Sequence, residues 1–222
     1  MSENRWIRAG AFAGLGFVLI AIVAGALTGA PPQADGKAAT YQSFFIAHHD
    51  ALVVQAWMYA LAAPLQLMFA VSVRRILRRS DGGGYLGDLF LVGTTANATL
   101  LVVAQAMQLA FAERADGLAA EVVFTVGVHF VGVLIGLWGF IIGATAFAFA
   151  CCVFAHGVLP RWTGYLALLA LFVNVVGTTG VFFRTGPFCL EGGFSAWAPA
   201  VSTVLWYLGA SIAILRTRDQ VR

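Results

Sequence analysis

The sequence predicts an all-α integral membrane protein, a bundle of six transmembrane helices with both termini on the cytoplasmic side. Three observations predict it. Of its 222 residues 60% are hydrophobic and only 10% are charged, where soluble domains carry roughly 25% charged residues. Six apolar stretches reach the ~20 residues that a helix needs to cross hydrocarbon. The arginines gather in alternate loops, which is how cytoplasmic loops are marked. No polar stretch is long enough for a separate soluble domain, so residues 1–222 form one membrane domain. The net charge of +3 comes from short basic segments beside apolar spans; it serves topology and implies no nucleic-acid partner. The partner implied throughout is the lipid bilayer.

The first span is Trp6–Ala30. Arg5 and Arg8 precede it, as in a signal peptide, but a signal core is about 7–15 residues and the run from Ala9 to Leu27 is longer. It is read as a retained helix, with Gly10 and Gly14 as packing positions. The loop from Pro31 to His49 is the one long connection.

The second span is Asp50–Val73, opened by His48, His49 and Asp50 and followed by Arg74, Arg75, Arg78 and Arg79. At 100° per residue, His48, Gln55, Tyr59, Ala62 and Gln66 align on one face. Pro64 removes a mid-span hydrogen bond and is expected to kink the helix. Asp81-Gly-Gly-Gly84 is a linker turn, because it lacks the Lys-Ser/Thr of a phosphate loop.

The third span, Tyr85–Ala112, carries Thr94, Asn97, Gln105 and Gln108 on one side. Asn97-Ala-Thr99 matches a glycosylation sequon but falls inside this span and is a chance match. The fourth, Val122–Phe154, is longer than a perpendicular crossing needs and is expected to tilt or to extend past the membrane. On an α-helical wheel Glu121, Thr125, Gly132, Gly136, Gly139 and Gly143 share one side, with His129 on its edge about 12 Å along from Glu121 at ~1.5 Å per residue. Ionisable groups within membranes mark functional sites, and glycines let helices approach closely. This face is therefore expected to look into the bundle.

The fifth span is Trp162–Phe183, with Asn174, Thr178, Thr179 and then Arg184; the sixth is Ser195–Leu215, with Glu191 and Trp197 near its start. Arg161 follows the fourth span, and Arg216, Arg218 and Arg222 follow the sixth; the opposite loops hold only Lys37, Arg114 and Arg184. Both termini are thus expected on the cytoplasmic side. The segment Leu159-Pro-Arg-Trp-Thr-Gly-Tyr165 at the start of the fifth span, with six spans in about this length, resembles uncharacterised bacterial six-helix membrane proteins of the DUF4386 type. The resemblance implies the six-helix fold and a bacterial cytoplasmic membrane; it implies no activity and no site residues.

Ionisable side chains concentrate toward the outer half. This predicts a one-sided polar cavity and, from it, a membrane-embedded enzyme acting on a lipophilic small molecule. A cyclase, an isomerase or a lipid-modifying enzyme would use acid–base catalysis in such a place. The candidate catalytic residues are His129, Glu121, Asp50, His48 and His49; the candidate substrate-binding residues are Gln105, Gln108, Gln55, Asn174, Arg184 and Trp57. A small-solute transporter or channel is the alternative, and an interaction or assembly subunit, whose polar stripes only lock helices, is the second. No cofactor is called for. Zinc is a lesser alternative for the histidines and carboxylates, which lack an H-x-x-x-H or H-E-x-x-H spacing. Bis-histidine haem would have to pair His129 with His48 or His49. A retinal-type Schiff base is excluded, because Lys37, the one lysine, lies in a loop. Cys151, Cys152 and Cys189 form no Cys-x-x-Cys pair and no disulfide framework.

Overall fold

In hydrocarbon the backbone must satisfy its own N–H and C=O groups, and for a single chain segment the helix does so. The computed structural model is helical accordingly, with no strand among the described residues, which are 3–29, 32, 37–78, 84–190 and 192–219. Ala30, Pro31, Arg79, Asp81, Gly82, Gly83, Glu191 and Arg222, singled out above, lie outside them.

The elements are α1 (Glu3–Thr28), α2 (Ala38–Ala47), α3 (His49–Arg78), α4 (Tyr85–Ala112), α5 (Ala120–Phe124), a π-helical turn (Thr125–Phe130), α6 (Val131–His156), α7 (Arg161–Thr178), a 3-10 turn (Thr179–Phe182) and α8 (Gly193–Asp219). Among the described residues six helices are long and apolar enough to cross a membrane: Asn4–Thr28, His49–Arg78, Tyr85–Ala112, Ala120–His156, Arg161–Phe182 and Gly193–Thr217. Each matches an expected span within a few residues. An even number of crossings brings both termini to one end of the bundle; the other end is called here the far end.

The six crossings form a closed ring. α1 packs on α3, α3 on α4, α4 on α6, α6 on α7, α7 on α8, and α8 returns to α1. Close seams depend on glycine. A Cβ at Gly139 would lie 2.5 Å from the Asn174 carbonyl oxygen, so α6 and α7 meet at this density only without a side chain there. Inside the ring, the half nearer the termini is filled by Phe69, Phe90, Phe149, Trp206 and Tyr207, each at most 2% exposed. Their rings touch edge to face or tilted, as with Phe149 on Trp206 at 5.5 Å and Phe69 on Tyr207 at 4.9 Å. Outside the ring, Phe12, Leu19, Val92, Phe140, Phe147 and Phe172 are exposed, an apolar belt compatible with bilayer contact.

Two local features differ from the sequence reading. The loop before the second span contains α2. It is too short to register as a span, but Tyr41 and Phe45, four residues apart, are both buried and form a helical face. They pack with Leu52, Ala112, Ala115 and Val123 into a small second core at the far end. The fourth span is also not one α-helix, because the π turn interrupts it between Phe124 and Val131. α3 runs unbroken through Pro64.

Candidate functional site

At the far end α3 begins beside the end of α4, because consecutive antiparallel helices pack together. His49, the first residue of α3, is thereby brought to Glu113, the residue after α4. Its imidazole is held at both nitrogens: Nδ1 lies 2.9 Å from Asp50 Oδ1 and Nε2 lies 3.3 Å from Glu113 Oε1. Only the imidazolium can donate to both carboxylates at once. Asp50 sits in the first turn of α3, where the helix N-terminus favours a negative charge. The ring is 40% exposed, so the group is open at the surface of the far end.

His48 is turned elsewhere. Its Nδ1 meets the Phe44 carbonyl oxygen at 3.0 Å and its ring lies 4.4 Å from that of Phe44. It joins α2 to α3. Gln42 secures the same region from the other side, its Nε2 donating to Ala115 O (2.6 Å) and Leu118 O (2.8 Å).

Below His49 lies a row of amides. Gln55 Nε2 donates to Ala24 O (2.9 Å) and Thr28 Oγ1 (3.2 Å) on α1, and Gln108 Nε2 reaches Gln55 Oε1 at 3.5 Å. One turn further along α4, Gln105 Oε1 is buried without a hydrogen-bond partner among the described residues. A buried acceptor in that condition is the usual mark of a water or a ligand donor. Deeper still, Trp138 Nε1 donates to Asn97 Oδ1 and joins α4 to α6. Asn174 Nδ2 donates to Ala170 O (2.8 Å) and across to Thr203 Oγ1 (3.0 Å), which clips α7 to α8.

The placement of Glu121 and His129 is corrected. Both side chains are exposed, whereas Gly127, Val131, Gly132, Gly139 and Gly143 are buried. The expected common face assumed an α-helix throughout. The π turn widens the spiral between them, so a wheel carried through it at 100° per residue loses register. His129 stands edge-on to Phe124, 5.1 Å between rings. Trp57 is 66% exposed on the lipid-facing side of α3, and Arg184 is exposed beyond the 3-10 turn. The structure thus brings together His49 with Asp50, and Gln55 with Gln108, with Gln105 one turn away; it does not bring His48, His129, Glu121, Asn174, Arg184 or Trp57 to them.

Glu113 and Gln42 were not foreseen. The signal for Glu113 was the antiparallel pairing itself, which sets the start of one span beside the end of the next. Among the described residues no three His, Cys, Asp or Glu side chains meet in a way that could hold a metal ion. An open groove of about 590 Å³ runs along the outside of α4, lined by Leu91, Val92, Thr95, Ala96, Thr99, Leu100 and Ile141. Its threonine hydroxyls donate back to Leu91 O and Thr95 O, so it offers no polar chemistry. No family model, no curated protein and no solved structure matches this chain.

Proposed function

We propose that this chain is a membrane-embedded enzyme that acts on a lipophilic small molecule, of the cyclase, isomerase or lipid-modifying type, by acid–base chemistry at the far end of the bundle. One observation carries the reading: an imidazole gripped by two carboxylates, His49 between Asp50 and Glu113. Histidine is the side chain best suited to accept and return a proton near neutral pH. Asp50 orients the ring through Nδ1. Glu113 gives Nε2, the nitrogen that a substrate would approach, a second group with which to exchange a proton. Of the five candidate catalytic residues, His49 and Asp50 belong to this group and Glu113 joins them, while His129 and Glu121 face away from it. The Gln105 acceptor, with Gln55 and Gln108, supplies the hydrogen-bonding point for a substrate hydroxyl or amine.

The alternating arginines support an orientation with both termini in the cytoplasm of a bacterial cell, which puts this end on the outside. The resemblance to the DUF4386 type agrees with six crossings and adds no chemistry. A conduit requires a polar path through the full thickness, and the aromatic filling of the termini half weighs against it. The interaction or assembly reading is favoured by one observation, that Glu121 and His129 face outward, where a partner could meet them.

The test is to purify the protein in lipid discs, identify co-extracted lipophilic molecules by mass spectrometry and assay their conversion. General acid–base groups contribute about 10²–10⁴-fold, so His49→Gln should lower turnover by that order with insertion unchanged. Full turnover by His49→Gln sinks the reading. Loss of solute flux in place of turnover would install the transporter.

A further inference from the structure

The groove along the outside of α4 has a length and a direction. Its lining runs from Leu91 to Leu100, with Ile141 of α6 on one wall. That is about 14 Å at ~1.5 Å per residue, close to half of the ~30 Å hydrocarbon core. The groove is therefore about as long as one leaflet is deep. It lies in the termini half, because α4 starts at that end with Tyr85.

The mouth of the groove is charged. Asp88, Val92, Thr95 and Thr99 follow at steps of four, three and four and share one face of α4. Asp88 thus stands in line with the groove, one turn before it, and its Oδ1 holds Arg74 Nε at 2.7 Å. Both side chains are partly exposed there, 30% for Arg74 and 49% for Asp88. Arg78 lies across the same turn. A Cβ on Gly84 would come 2.7 Å from its Nε, and one on Gly87 would come 2.8 Å from its Cγ. These two glycines let the arginine lie against the start of α4. Across residues 74–88 the sequence carries four arginines against two aspartates, so the mouth is cationic on balance.

An apolar trough one leaflet deep below a cationic mouth complements a phospholipid with an acidic head. We propose that the groove holds one acyl chain of an anionic phospholipid from the leaflet on the termini side, with the lipid phosphate on Arg74 and Arg78. Asp88 fixes Arg74 through Nε, and the planar fork of a guanidinium suits phosphate oxygens in pairs. The same features weigh against a second copy of this chain. A partner helix would need a seam through the full thickness. A twofold pair about the membrane normal would also set the two arginine clusters at the same level, like charge toward like charge. The proposal stands independently of the acid–base reading, whose residues lie at the other end.

Native mass spectrometry of the full chain, released from lipid discs of equimolar phosphatidylglycerol and phosphatidylcholine, tests it. The protein is expected to retain phosphatidylglycerol several-fold over phosphatidylcholine. Arg74→Gln combined with Arg78→Gln should erase that preference. Thr95→Phe, at an exposed position, fills the groove and should lower lipid retention. Arg161 lies at the same end on α7, which packs on α6 and α8, so Arg161→Gln should change nothing. Equal retention of the two lipids overturns the proposal, as does an equal loss in Arg161→Gln or full retention by Thr95→Phe. A lipid-free dimer that Thr95→Phe splits would hand the groove to a second copy instead. Should the double arginine variant fail to insert, the unmodified protein and Thr95→Phe decide the same question.

Discussion

His49 and Gln105 are both polar groups at the far end, but opposite behaviour is expected when each is removed. The His49 contacts are open to water, where ion pairs are screened and contribute little to stability. Glu113→Gln should therefore leave the thermal midpoint almost unmoved while lowering turnover, and a scan beside an activity assay separates the two. Gln105 Oε1 is buried and unmatched. Gln105→Leu removes that desolvated acceptor, so the ligand-free protein should gain about 1–3 kcal/mol in a denaturation titration and lose affinity for whatever molecule co-purifies. The polar stripes put Gln55 and Gln108 on one face each of their helices, and those faces meet in the structure, because both residues lie inside regular α-helix where a wheel holds. The wheel could not reach Glu113, which lies past a helix end, and it misplaced His129, which lies within a turn of different pitch.

At the level of the element, the length of the apolar runs marked the six crossings and missed what is short or irregular. α2 has ten residues, fewer than a span requires, and its helical face shows only in the spacing of Tyr41 and Phe45. It is held to the neighbouring turn by Gln42. Gln42→Ala should raise amide hydrogen exchange across residues 38–47 and leave the six crossings protected; unchanged exchange would mean that the aromatic contacts alone secure the element. The α6–α7 seam depends on Gly139. Gly139→Val forces a side chain against the Asn174 backbone and should cost about 1–3 kcal/mol, read as a lowered midpoint without loss of insertion.

For the molecule as a whole, the arginine pattern predicts that single cysteines placed at Lys37 and Arg75 will be labelled from opposite sides of the membrane, that at Lys37 from outside. Labelling of both from one side would refute the orientation. The ring bears on how such a chain can be assembled. Five of its six seams join consecutive crossings and can close as the helices are delivered one after another. The sixth joins α1 to α8, the first crossing made and the last. Until synthesis is nearly complete, the α1 surface that will meet α8, with Phe17 destined for Tyr207, has only lipid or a chaperone beside it. A ribosome stalled before α8 would leave an open arc, and quality control has a ready criterion in that unclosed edge.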